Sequence, residues 1–598
     1  MSLTFAAAPL LAMVAGWPLI TIREAYGPIR APERMKEVLD LHARYPKACE
    51  EVWLAHGAGA HLDDVRTAFE KLAAYRPRLR EIGIEPGFQQ GVTLGHQNIV
   101  ATEGGGLEGR LADFPDDIWQ RDADGKVRRM FCPRSPALHE YETAYLKIMG
   151  ETLSPVSIWF DDDLRLGLSV PGCHCDRCIT AFGEFWGEPI TREALVARLK
   201  GGVEKDPIRR AWRQFKAQSL AEYGKMVRRA TDTWQTPPRL ALQAVGSCEM
   251  GSGMDWLPIL RAFSGEDNRP VGIRAGHGSY REDFAELLPK LLWLGRESER
   301  CRAAGFVASV SYEQENYRRE ILHKSVGAAL LESALALFAG CDALTEYRWD
   351  SERDEPLEDL EEFLAGLEAW RPFYQRVSDM ILKTHAAGLA RYHGSDVDLL
   401  VSDTISVEHD DNLQRLGIPV APIDSPKASS LYIDYTSLPA LSPEDIKKLA
   451  KKPLIVDTAM VDGLLERDAE TVRAALDSGL WKPYEFNRFR WAWNQIPSTV
   501  EWNELLDQMD AAGLQPARLE FPRKFRIWPR VDKAGQLKAL AVWNMSIGGA
   551  TPTPVRVAAA GTAKGYFPDG RTVDLPITDG HLKLPALPPM GIIWLEFN

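Results

Sequence analysis

The chain has 598 residues, of which 45% are hydrophobic and 26% charged, and a formal net charge of −13. That length holds about three or four domains, or fewer if one of them is a barrel. The acid excess argues against nucleic acid and anionic membrane as partners, because both need a basic surface, and it suits a neutral small-molecule or oligosaccharide substrate. The apolar start, MSLTFAAAPLLAMVAGW, has no basic n-region, since the first basic residue is Arg23. It is also short for a membrane span and contains Pro9. It is therefore read as part of the fold of a cytoplasmic protein, not as a signal peptide or anchor.

Eight short apolar runs follow in chain order: 18–27, 49–59, 84–95, 156–163, 239–247, 269–278, 306–316 and 342–350. Helical patterns such as 63–83 and 281–305 lie between most of them. Eight strand-then-helix units with no long antiparallel stretch predict a TIM (β/α)8 barrel over 1–385. Each run enters apolar and leaves polar. This is the pattern of a barrel whose interior is packed and whose active site sits at the C-terminal rim. The polar ends include Arg23, Glu24, His56, Gln89, Gln90, the triplet Asp161-Asp162-Asp163, Arg274, His277, Glu313, Glu315, Arg348 and Asp350. Two long insertions follow the third and fourth runs. Beyond the barrel, strand-like runs at 395–407, 429–437 and 451–467 and a helix at 468–479 predict an open, flavodoxin-like α/β domain over 386–515. The Pro-, Gly-, Thr- and Val-rich remainder, 516–598, predicts a small antiparallel β-sandwich.

Eighteen Trp and sixteen Tyr serve core packing first, and the stacking of sugar rings second. The eight cysteines make no disulfide framework. Three of them, Cys173, Cys175 and Cys178, form C-x-C-x-x-C in the second of the two insertions (about 164–235), the first being about 96–150 and the zinc-binding part about 96–185. Thiolates this close reach a single soft ion, and tetrahedral Zn2+ wants four ligands. Cys132, His174 and Cys49 are the candidates for the fourth, and Cys132, in the neighbouring insertion, is chosen. Four thiolates leave no open position, so the metal is expected to be structural, not catalytic.

Retaining glycosidases place two carboxyls about 5–5.5 Å apart, and inverting ones about 6.5–9.5 Å apart. The fourth and seventh strands of a barrel face each other across its mouth. Here they end in Asp161-Asp162-Asp163 and in Tyr312-Glu313-Gln314-Glu315-Asn316. Alternation along a strand points Asp161 and Asp163 one way and Asp162 the other. A cluster of acids also fits a Mg2+ or Ca2+ site, which keeps a metal-dependent hydrolase or lyase as an alternative reading.

The order of parts resembles the family-42 β-galactosidases: a barrel, a C-x-C-x-x-C cluster just after the fourth-strand acid, an α/β domain and a terminal sandwich. The resemblance implies that Glu313 is the nucleophile and that Asp163 stands at the acid/base position, with Asp162, Asp161 and Glu315 as alternates. It matches Cys132 to the early zinc cysteine, Tyr347-Arg348-Trp349-Asp350 to the eighth-strand motif and Arg23 to the first-strand arginine. It also implies a homo-oligomer, a trimer, assembled through the second domain. Expected substrate contacts are Arg23, His56, Gln89, Trp159, His277, Tyr347, Arg348 and Trp349. The chain departs from the family by having Asp at the Glu position and no Asn before it. That departure points to a separate, related family and leaves two questions open: an acid supplied by Glu24 or Glu249, and a non-catalytic carbohydrate-binding barrel. The expected activity is that of a retaining exo-β-glycosidase.

Overall fold

The computed structural model describes residues 16–57, 61–95, 114–166, 172–201, 204–244, 255–276, 278–316, 321–349, 355–400, 413–414, 417–422, 428–484, 506, 516–521 and 524–598. The chain divides into two compact units. One comprises Met1–Asp283, Ala304–Ser333 and Asp342–Arg371, and the other Phe284–Ala303, Ala334–Cys341 and Pro372–Asn598.

The first unit holds a closed barrel of eight parallel strands: β1 (Ile20–Ala25), β2 (Glu51–Gly57), β3 (Glu85–Val92), β4 (Ser157–Phe160), β5 (Arg239–Gln243), β6 (Val271–Ala275), β7 (Val307–Glu315) and β8 (Ala343–Tyr347). All eight expected strands are present, in the expected order. The period-2 pleat sorts their side chains. Residues such as Val52, Leu54, Phe88 and Phe160 are buried. Phe88 lies against Phe69 of helix α1 (Leu62–Ala73). Phe160 lies against Phe263 of the helix Leu257–Ser264. These outward residues pack the wall onto its helices.

The inward residues fill the barrel in layers. At the N-terminal end Glu51 accepts hydrogen bonds from Ser157 Oγ and Trp53 Nε1, both at 2.8 Å, and pairs with Arg239. Above it Trp159 stacks on Trp53 at 4.6 Å and meets the edge of Trp17 at 5.8 Å. Gly272 gives Trp17 its room, since a Cβ there would lie 2.4 Å from the indole. The floor of the mouth is thus a tryptophan plug, with the Glu51–Ser157–Arg239 group below it and a second polar layer above it.

In the second unit four parallel strands, Gly388–Arg391, Ala428–Ile433, Leu454–Asp457 and Trp481–Tyr484, pair in that order. The first strand lies earlier than the expected 395–407; of that run, Val397–Leu399 form a 3-10 turn and 401–407 fall outside the described residues. The expected strand at 451–467 is short, because the chain turns at Thr458 into the helix Val461–Asp477. From 385 onward nine antiparallel strands form one continuous hydrogen-bonded sheet. Leu519 near one end of its order and Phe525 near the other bury into the same core with Leu540, Val555 and Leu595, so the sheet closes over itself as a sandwich does.

Candidate active site at the barrel rim

The polar layer above the tryptophans gathers Arg23, Gln89, Gln243, Arg274, Glu313 and Tyr347 from strand positions in phase with the plug, and Asp161 from just beyond the end of β4. Arg274 of β6 lies opposite Ser311 of β7 in the ladder. Glu313, two residues further along the same face, therefore reaches it, with Arg274 Nη2 2.7 Å from Glu313 Oε1. The loop after β6 also touches Glu313. A Cβ on Gly278 would lie 2.4 Å from the Glu313 carbonyl oxygen, so only glycine fits there. Arg23 stacks over the Tyr347 ring at 4.3 Å and lies 3.9 Å from Glu315. The rim of β7 is fixed from behind by Lys324. Its buried ammonium donates to the Glu315 carbonyl at 3.0 Å and pairs with Glu332 at 2.6 Å.

Electrostatics tie these groups to the acidic triplet. Burial pushes the Glu313 carboxyl up to about 7; Arg274 and Arg23 pull it down, and Glu315 and Asp162 push it further up. The Tyr280 phenol is held above its ordinary value by Glu313, then by burial, Glu315 and Asp162. Burial works against the Arg23 guanidinium, but Glu315, Tyr347 and Asp161 outweigh it and keep it charged. Glu315 and Asp162 thus both act on Glu313 at the rim.

The triplet itself divides. β4 ends at Phe160, and Asp161, Asp162 and Asp163 lie in the turn beyond it, where strand alternation no longer applies. Asp161 accepts from Gln89 Nε2 at 3.0 Å. Asp162 sits 3.8 Å from Arg165 and keeps a 20% exposed side chain. Asp163 is fully buried. Both its oxygens are engaged, by Thr93 N–H at 2.8 Å and by Thr93 Oγ1 and the Gly95 N–H. Fully buried and accepting three hydrogen bonds, Asp163 supports the Thr93–Gly95 segment and does not present an open carboxyl to the mouth, unlike the acid/base position expected of it. The triplet does not converge as metal ligands either. Among the described residues the cysteine group is the one set of three or more such side chains with ligand atoms within 4.8 Å.

Other expected contacts also move. His56 faces outward, 3.4 Å from Tyr145 Oη and edge-on to Phe69, and burial pushes its imidazole down to about 4. Trp159 belongs to the plug. Arg348 turns away from the mouth to Asp359 (Nη2 to Oδ1, 3.0 Å) and the Lys324 carbonyl. Trp349 donates to the Pro356 carbonyl at 3.1 Å, beneath Arg34. Glu24 lies 3.3 Å from His42. His277, Glu249 and Asp350 fall outside the described residues. Arg23, Gln89 and Tyr347 do face the barrel interior. Gln243 and Tyr280 were not singled out from the sequence, and Arg274 was noted only as a strand end. Gln243, which accepts from Gln89 Nε2 at 3.4 Å, had the right phase but no charge to draw attention.

The cysteine cluster is well formed. Cys132 ends the hairpin Trp119–Arg121/Val127–Phe131, and its N–H donates to the Ile118 carbonyl at 2.7 Å. Cys173, Cys175 and Cys178 surround the start of the helix Asp176–Trp186. Cys132 Sγ lies 3.9 Å from Cys175 Sγ and 3.6 Å from Cys178 Sγ. A tetrahedral S4 site with metal–sulfur bonds of about 2.3 Å needs sulfurs about 3.8 Å apart, so these four side chains can hold such an ion. His174 stacks on Trp212 at 5.2 Å instead, and Cys49 is buried beside His42, 3.8 Å away. Phe131 N–H donates to the Leu94 carbonyl at 2.7 Å. This links the cluster to the segment that holds Asp163.

No protein-family model and no curated protein matches the chain. Solved structures do. The β-galactosidase from Bacillus circulans sp. alkalophilus superposes with a TM-score of 0.60 at 12% identity, over 97% of this chain and 98% of that one. The enzyme from the psychrophilic Marinomonas ef1 gives 0.58 at 12%, over 97% and 100%. That from the Antarctic haloarchaeon Halorubrum lacusprofundi gives 0.58 at 13%, over 96% and 99%. The chain therefore shares, over nearly its whole length, the fold of these β-galactosidases.

Proposed function

We propose that this protein is a glycoside hydrolase, a retaining exo-β-glycosidase for a neutral sugar, with Glu313 as nucleophile and Asp162 as acid/base. The observation that carries this reading is the Arg274–Glu313 contact at the C-terminal rim, with Glu315 and Asp162 near enough to raise the Glu313 carboxyl. Glu313 attacks the anomeric carbon as the leaving oxygen takes a proton from Asp162. The resulting carboxylate then activates water to release the sugar. Arg274 orients Glu313 and favours its ionised form. Arg23, stacked over Tyr347, lies 3.9 Å from Glu315, which is close to where positive charge develops on the sugar ring. The family of the structural neighbours supports the same chemistry.

The four thiolates fit a structural Zn2+, with Cys132, Cys173, Cys175 and Cys178 as its ligands; when bound, the ion would staple loops that lack a core of their own. A trimeric assembly through residues 386–515 belongs to the same reading. So does a reducing, cytoplasmic location, which the free thiols of the described cysteines suit. Among the described residues no helix is long and apolar enough to cross a membrane.

A panel of aryl β-glycosides assayed with wild type and Glu313→Ala, with and without EDTA, tests the proposal. Release of the aryl group by wild type, its loss in the variant and indifference to brief EDTA treatment are expected. Undiminished turnover by Glu313→Ala would overturn the assignment.

A further inference from the structure

Residues 278–282, in the loop after β6, are laced to β7 and the loop beyond it by buried side chains that the glycosidase chemistry does not itself use. We propose that Lys324, with its partner Glu332, is a positioning residue: it clamps 278–282 onto the rim of β7 and so fixes where Glu313 stands. The inference rests on the reading of Glu313 as the nucleophile.

Connectivity is the first argument. The Lys324 side chain is fully buried. An ammonium has three N–H groups, and here each finds an acceptor: the Ser279 carbonyl, the Glu315 carbonyl at 3.0 Å and Glu332 Oε2 at 2.6 Å. The other Glu332 oxygen accepts from the Ser279 N–H at 3.3 Å and from the Tyr312 hydroxyl. One ion pair therefore joins the β6 loop, at Ser279, to β7 on both sides of Glu313, at Tyr312 and at Glu315. Two more bonds extend the seam. Glu282 N–H donates to the His323 carbonyl at 2.9 Å, and Ser325 N–H to Glu282 Oε2 at 3.2 Å. Arg348, paired with Asp359, donates to the Lys324 carbonyl at 3.1 Å and seats the lysine.

Proximity is the second argument. Gly278 precedes Ser279 directly, and a Cβ on it would lie 2.4 Å from the Glu313 carbonyl oxygen and 3.2 Å from Glu313 Cγ. The clamped segment thus lies against the backbone and the stem of the carboxyl. Energetics are the third. A buried ion pair adds little net stability, because desolvation of two charges offsets their attraction, and apolar residues of the same volume often serve as well. Apolar residues could not supply donors to two carbonyls where strand pairing stops: Ser279, past the end of β6, and Glu315, the last residue of β7. The pair specifies a position more than it adds stability.

The test compares Lys324→Met, Lys324→Arg and the double variant Lys324→Met with Glu332→Met in the full-length protein. The readouts are melting temperature, deuterium uptake in peptides covering 278–282, and kcat and KM on an aryl β-glycoside. In Lys324→Met, uptake in those peptides is expected to rise. The value of kcat should fall about 10²-fold, the cost of about 1 Å of misplacement, with KM little changed, and Lys324→Arg should recover part of the loss. If Lys324→Met fails to fold, the double variant decides, since it removes both charges together: it is expected to keep the wild-type melting temperature and still show the raised uptake and the low kcat. Wild-type kcat in the double variant, or uptake in 278–282 equal to wild type, would overturn the proposal. Should wild type release no aryl group, the nucleophile reading fails by itself, and deuterium uptake alone decides whether Lys324 clamps the segment.

Discussion

Arg274 Nη2 and Glu313 Oε1 meet at 2.7 Å across the sixth and seventh strands, and both side chains are almost completely buried. Glu313 nevertheless sits at about 7, because its burial outweighs the arginine. A nucleophile must be ionised, so kcat/KM is expected to rise with pH through about 7. Arg274→Met removes the cation and moves that limb to higher pH, and Arg274→Lys recovers part of the shift. If Glu313 were the proton donor, kcat/KM would fall across the same range. The pH profiles of the three proteins decide.

Asp162 and Asp163, adjacent in sequence, are expected to separate chemistry from stability. Asp162→Asn leaves the fold intact and lowers kcat about 10²–10⁴-fold, the usual worth of a positioned acid. Asp163→Asn weakens charge-assisted hydrogen bonds to Thr93 and Gly95, each worth about 1.5–3 kcal/mol. It lowers the melting temperature while folded molecules keep turning over. Paired unfolding and kinetic measurements check both.

Trp159, packed between Trp53 and Trp17, is expected to support the floor of the site. Trp159→Ala opens the plug between Trp53 and Trp17, which costs about 3–5 kcal/mol. Denaturant unfolding should show this loss, with KM unchanged in whatever enzyme remains folded.

Two buried carboxyls outside the mouth make stability depend on pH. Glu142, 2.6 Å from Gln90 Nε2, is pushed by burial up to about 7, and Glu346, 2.7 Å from Ser333 Oγ, up to about 8. Unfolded, both titrate near 4.3. The folded chain holds their protons up to 7–8, so their contribution is complete below about 4.3 and is lost progressively as pH rises from there to about 8. Melting temperature should fall between about pH 4.5 and 8 on their account, and Glu142→Gln with Glu346→Gln should flatten the slope. A slope unchanged in the double variant contradicts this.

Removal of one cysteine ligand is expected to act on the scaffold. Cys178→Ser, or prolonged chelation, lowers the melting temperature by several degrees, and kcat of the folded fraction stays within about twofold if the metal is structural. Loss of kcat without loss of stability would make the metal catalytic.

The barrel was legible in the sequence because eight apolar runs ending in polar residues leave few alternatives. The cysteine cluster was legible because its spacing is local. The phase of the rim was only half legible. Arg23, Gln89, Glu313 and Tyr347 keep the inward register of the tryptophan plug, whereas His56 and Arg348 are one residue out of step and face the helices. The triplet misled because strand β4 stops at Phe160, so the turn, not the pleat, aims the carboxylates. Asp163's partners, Thr93 and Gly95, lie about seventy residues upstream, and no local pattern announces them. The parallel sheet of the second unit was missed at its first strand because Gly388–Arg391 is only four residues long.

The central claim is that Glu313 and Asp162 work on the same linkage, one forming a bond to the sugar and the other moving the proton. The most direct measurement is peptide mass mapping of Asp162→Asn after brief exposure to an aryl glycoside with a good leaving group. Loss of the general base slows release of the intermediate, so one glycosyl unit is expected on the peptide that contains Glu313. No adduct, or an adduct on a peptide without Glu313, would contradict the account.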